Sequence, residues 1–152
     1  MWHDALYEPG EIRVVAYDDK GTSVSEKTVR TAGKPHHIEI VSGREFIGDT
    51  ALPEIKADGK ELAYLTVKVV DKDGNLCPTY SGMLEFDVSG AASFRASANG
   101  DPTCLDIFHE PRMHAFGGML TMIVQAKETA GTAAIKVRGR NLKPAEAFLK
   151  VK

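Results

Sequence analysis

Apolar residues in this chain recur at every second position, in short runs separated by turns. The clearest run is Leu62 to Val70 (LAYLTVKVV). Ala63, Leu65, Val67 and Val69 share one face at period two, which predicts a strand with that face in a core. Gly82 to Val88 (GMLEFDV) offers Leu84, Phe86 and Val88 in the same way. His36–Val41, Ala92–Ala96, Met119–Ala126, Thr132–Val137 and Ala145–Val151 read as further strands. Between them stand turn residues: Asp71-Lys72-Asp73-Gly74-Asn75, Asn99-Gly100-Asp101-Pro102, and Gly139, Asn141 and Pro144. Thr103 to Arg112 is the least regular stretch, and a helical turn is expected around Leu105–Phe108. No segment of ten or more residues keeps a helical period. Short strands with a turn signal every ~8–12 residues are the signature of an all-β sandwich. About seven strands follow Pro35, enough for one immunoglobulin-like, Greek-key β-sandwich.

The N-terminal part reads differently. Glu11 to Tyr17 (EIRVVAY) alternates, Asp18-Asp19-Lys20-Gly21 turns the chain, and Ser23 to Thr31 follows as a polar strand. These runs predict a hairpin, and Thr31-Ala32-Gly33-Lys34-Pro35 reads as a linker. A lone hairpin is marginal in water. The expected division is therefore residues 1–33 as terminal strands of a preceding immunoglobulin-like domain, and residues 34–152 as the sandwich. Ile12, Val14 and Ala16 would face a core that this chain does not hold. The hairpin is expected to pack on its own domain, or to pair with another copy in a homodimer through residues 11–31.

Composition narrows the function. The chain has 152 residues, 43% of them hydrophobic, so it can bury a core. Nineteen basic against 21 acidic residues give a net charge of −2. No basic stripe argues for nucleic acid, and no apolar run approaches the ~18 residues of a membrane span. The polar start, Met1-Trp2-His3-Asp4, does not resemble a signal peptide. Cys77 and Cys104 fit no zinc or redox spacing, and two free thiols are expected rather than a disulfide.

Each candidate for chemistry has a plainer explanation. Asp71 and Asp73 could supply a carboxylate pair of glycosidase type, yet they flank a turn, where aspartates bond backbone amides. Glu54, Asp58, Glu61 and Asp101 read alike. The same run resembles half a calcium loop but lacks its later glutamate and its helices. His36 and His37 are adjacent, so on a strand they should point to opposite faces and share no metal. His3, His109 and His114 complete the histidines. Cys104 with His109 suggests a nucleophile and base, but no third group can be named. Tyr64, Tyr80, Phe94, Phe108 and Phe116 are candidates for sugar stacking, and a core will claim several; Trp2 lies in the N-terminal segment assigned to the preceding domain. No catalytic, cofactor or metal residue is assigned.

The ordered motifs carry a resemblance. Tyr7-Glu8-Pro9-Gly10 leading into Glu11–Tyr17, then Thr31–Pro35 (TAGKP), Ala57-Asp58-Gly59, Asp71–Asn75 (DKDGN), Asn99–Thr103 (NGDPT) and Ala115-Phe116 with Gly118 resemble the C-terminal immunoglobulin-like region of bacterial family 2 glycoside hydrolases of β-galactosidase type. Cys104, His109 and His114 depart from that pattern. The resemblance implies a non-catalytic accessory module whose neighbours are the other domains of the enzyme, with two glutamates on an absent barrel doing the chemistry. It also implies a periplasmic or extracellular setting. The competing readings are a glycan-binding module and a bacterial adhesion repeat. The second predicts repeated copies, whereas residues 1–33 do not repeat the start of the domain near Pro35.

Overall fold

The structure is a computed structural model that describes residues 6–152; Trp2 and His3 lie outside the described residues. Among the described residues there are ten strands and one short 3-10 turn. The first two strands, β1 (Glu11–Tyr17) and β2 (Ser23–Arg30), form the expected antiparallel hairpin. The other eight are β3 (His37–Ser42), β4 (Leu62–Val70), β5 (Met83–Gly90), β6 (Ala92–Ala98), β7 (Arg112–His114), β8 (Met119–Ala126), β9 (Gly131–Gly139) and β10 (Ala145–Val151).

They build two four-stranded antiparallel sheets, ordered β3-β4-β8-β6 and β10-β9-β5-β7. The first order is the A-B-E-D sheet of an immunoglobulin constant domain, and β10-β9-β5 is its G-F-C sheet. The sandwich carries no tryptophan, since the chain's single one is Trp2, and both cysteines are free. Aliphatic packing does the work instead. Leu65, Val67 and Val69 of β4 and Met122 and Val124 of β8 are fully buried, as are Leu84 of β5, Ile135 and Val137 of β9, and Leu149 of β10. Period two delivers them: Leu62, Tyr64 and Phe148 alternate with this set and remain exposed.

At the corner where β5 leaves one sheet and β6 enters the other, Gly90 has φ +82. A Cβ there would stand 2.3 Å from the Thr132 carbonyl oxygen, so only glycine fits the bend.

Two expectations need correction. The strands after Pro35 number eight, because Arg112–His114 pairs with Met83–Glu85. A three-residue strand has no readable period; only Met113 points inward. Nor does Leu105–Phe108 form a helical turn. Residues 104–107 have no regular structure, and the Phe108 carbonyl accepts the Ser97 N–H at 2.9 Å. That bond lays the segment along β6, an edge strand that would otherwise be open.

The hairpin does not pack on the sandwich through its apolar face. Ile12, Val14 and Val29 are 71%, 55% and 60% exposed, on the face where Ile12 pairs with Val29. The opposite face is ionic, with Arg13 on Glu26 and Arg30 on Glu11.

β3 and β10 run the same way. The chain enters β3 at the end of the sandwich where β10 begins and leaves β10 at the other. Near the entrance the Ile38 N–H donates to the Lys143 carbonyl at 3.2 Å, and the Lys143 N–H to the His36 carbonyl at 3.0 Å. At the far end Ile55 and Ala57 donate to the carbonyls of Lys150 and Lys152.

Leu84→Ala is expected to cost about 2–5 kcal/mol, since it opens a cavity between the sheets. Phe148→Ala, on the exposed face, should change stability by only about 0.5 kcal/mol. Urea denaturation of the two variants checks the contrast.

Candidate functional site at the hairpin junction

A cleft of about 1060 Å³ opens where the hairpin meets the sandwich. Its walls are the hairpin base, the linker and the turn after β4, and they include Arg30, Lys34, His36, Asp71, Lys72 and Asp73. Asp71 is its central polar group and is only 2% exposed.

The Asp71 carboxylate is fully occupied by donors. Oδ1 accepts the N–H of Asp73 and of Asn75, each at 2.9 Å. Oδ2 accepts the Gly33 N–H at 2.7 Å and the Asn75 side-chain amide at 3.1 Å. The Gly33 amide, followed by the Asn75 side chain, holds this carboxyl well below the usual carboxylate range. Such a group neither delivers a proton near neutral pH nor turns an oxygen toward a cation. Asp73 is exposed and lends the cluster its backbone amide.

The other acidic candidates are similarly engaged. Asp58 accepts the amides of Glu61 and Lys60, which lower its pKa. Asp101 accepts both the N–H and the hydroxyl of Thr103 at 2.8 Å. Glu54 pairs with Lys152 and Lys150, and both lower its pKa. The Glu61 carboxylate accepts the Lys56 amide.

The histidines bring one surprise. His36 and His37 were expected on opposite faces, yet their Nδ1 atoms lie 3.1 Å apart with the rings edge to face. His36 precedes the strand, so strand alternation does not govern it. His37 also approaches Glu39 at 3.6 Å. Among the described residues no three His, Cys, Asp or Glu side chains converge in a way that would hold a metal ion.

Cys104 meets Asn99 and Asp106 rather than His109, which is exposed. Asp106 accepts the His114 N–H at 2.7 Å and contacts the ring Nδ1 at 2.9 Å; the amide is the main cause of its lowered pKa. The carboxylate therefore stands between thiol and imidazole. A nucleophilic site needs the imidazole in that place. Asn99 also donates to the His114 carbonyl at 3.0 Å, so the cluster ties the chain ahead of β7 to the end of that strand. Cys77 is buried, and that burial pushes its thiol pKa up.

The aromatic candidates divide. Tyr80 and Phe94 pack against the core, and Phe94 stacks on Phe86 with centroids 5.5 Å apart. Tyr64, Phe108 and Phe116 are exposed, but none lines the cleft. The bond from Gly33 to Asp71 was not visible in the sequence. Both motifs that supply it were, as TAGKP and DKDGN.

Comparison with known proteins agrees with this architecture. Residues 50–147 match the family described as glycoside hydrolase family 2 C-terminal domain 5. The chain is 32% identical over 95% of its length to the β-galactosidase BoGH2A of Bacteroides ovatus. It is 26% identical over 97% of its length to a β-glucuronidase of Formosa agariphila. It spans only 16% and 14% of those two proteins. Among solved structures, a β-glycosidase from Bacteroides vulgatus superposes with a TM-score of 0.84 at 26% identity, covering 95% of this chain and 18% of that one.

Two outcomes are expected. A carboxyl with a depressed folded pKa stabilises the fold fully above its unfolded value near about 4, and loses that contribution as pH falls toward the folded value. Asp71→Asn should thus lower the melting temperature at neutral pH, and the gap from the parent should narrow on acidification below about pH 4; melts across that range check it. Alkylation of the native chain should label Cys104 and spare Cys77 until denaturant is added, read by mass spectrometry.

Proposed function

This chain belongs to the glycoside hydrolase family 2 C-terminal domain 5 family, and on that footing we propose that it is a non-catalytic accessory module of a β-galactosidase. As such a domain it is part of a larger glycosidase, and its partners are the neighbouring domains of that enzyme. The observation that carries the non-catalytic reading is the state of the aspartates at its turns. Glycoside hydrolysis needs two carboxyl groups facing each other across a sugar, one of them able to give up a proton. Asp71 has each of its oxygens committed to protein donors. Asp58 and Asp101 each cap the amides of their own turns.

The galactoside class is supported by the 32% identity to a protein bearing that name. A β-glucuronidase is the second reading, supported by the 26% match. In either case two glutamates on a barrel domain outside this chain carry out the hydrolysis. We also read residues 1–33 as the end of a preceding immunoglobulin-like domain and residues 34–152 as the module itself. The exposed apolar face of Ile12, Val14 and Val29 supports that division, because it is the face such a domain's core would cover. A periplasmic or extracellular setting belongs to the same reading.

Hydrolysis of nitrophenyl β-galactoside and β-glucuronide tests it, with this 152-residue chain beside a longer chain that carries the barrel. The longer chain should turn over the galactoside and the short chain neither substrate. Turnover by the short chain would overturn the accessory role, and preference for the glucuronide would move the parent to the second class.

A further inference from the structure

We propose that Asp71 is a latch that locks the hairpin to the sandwich, so that the two tumble as one body. The inference goes beyond the accessory role and holds whatever precedes the hairpin.

The starting point is how little else joins the two parts. The apolar face of the hairpin is exposed and its other face is closed by its own ion pairs. Its base is tied to itself, with the Gly10 N–H on the Thr31 hydroxyl and the Thr31 N–H on the Gly10 carbonyl. Among the described residues, two polar contacts cross from residues 6–35 to the sandwich. One is the Gly33 N–H on Asp71 at 2.7 Å; the other is the Cys77 thiol at 3.8 Å from the Gly33 carbonyl. A thiol is a weak donor, whereas an amide on a carboxylate is charge-assisted and among the stronger hydrogen bonds.

The acceptor is rigid before Gly33 arrives. Asp71 is clasped by the amides of Asp73 and Asn75 and by the Asn75 side chain. The turn itself is closed by Asp71 N–H on the Asn75 carbonyl and by Cys77 N–H on the Val69 carbonyl, each at 2.9 Å. A preformed acceptor loses little entropy on binding its donor. On the donor side, Pro35 fixes its own φ and restricts Lys34. From the other direction, His36 is pinned by its N–H on the Val70 carbonyl at 2.9 Å. The freedom left in the linker lies at Ala32 and Gly33, where the latch closes.

Steric need does not explain Gly33. A Cβ there would meet Asp71 Oδ2 at 3.5 Å, an ordinary contact. Gly33→Ala keeps the N–H and so should keep the lock, as should Asp73→Ala, since its amide and not its carboxylate is used.

Residual dipolar couplings on the ¹⁵N-labelled 152-residue chain read the lock directly, at a concentration where sedimentation gives a monomer. One alignment tensor should fit residues 11–30 and 37–151 together in the parent, Gly33→Ala and Asp73→Ala. In Asp71→Asn the hairpin couplings should collapse while those of the sandwich persist, and Gly33 amide exchange should speed up. Separate tensors in the parent would overturn the proposal. So would a shared tensor in a folded Asp71→Asn. Should that variant fail to fold, the parent and the two alanine variants still decide.

Discussion

The sandwich hangs on the apolar seam between its two antiparallel sheets. Leu65, Val67 and Val69 on one side, and Leu84, Ile135 and Val137 on the other, are removed from water. Their burial is the dominant favourable term, and it dictates the rest. Strands must alternate to supply the seam, loops must gather at the two ends, and polar groups must find partners where the chain crosses between sheets. The cleft and the Asp71 turn lie at one of those ends because β4 and β5 deliver them there.

The polar chemistry of the chain is spent on architecture. In each acidic turn a carboxylate gathers the amides that a bend leaves without partners. Asp58 does so within three residues, Asp101 within two, and Asp106 across eight to His114. Asp71 does so locally and also across 38 residues to Gly33. The same residue type that a glycosidase uses for proton transfer is held ionised by hydrogen bonds at Asp58, Asp71 and Asp106, which removes these three from acid–base work. Lys68, largely buried between Glu39 and Glu45, joins β3, β4 and the short 3-10 turn in the same manner with the signs reversed.

What could be read from the sequence was whatever repeats locally. β4 was legible to the residue, and Ala63, Leu65, Val67 and Val69 are buried as expected, because alternation from Leu62 to Val69 leaves no second register; Val70, also buried, breaks the period at the strand's end. The hairpin was legible from its alternation and its Asp-rich turn. β7 was not, because three residues carry no period and its existence depends on β5 arriving from thirty positions earlier. The contact of His36 with His37 escaped because the strand begins one residue later than its composition suggests. The Asp71 turn was recognised as structural, but its second partner was invisible: the amide of Gly33 is a backbone group, and no side-chain pattern announces where a distant amide will point.

The parallel course of β3 and β10 has a mechanical consequence. A pull between the linker and the end of β10 would draw these strands past each other along their length. The bonds from Ile38 to Lys143 and from Lys143 to His36 lie across that motion. They would be strained together in shear and would have to fail together, instead of peeling open one at a time. Forced unfolding is governed by the barrier and not by equilibrium stability, so resistance along that line is set by how many of these bonds must break at once.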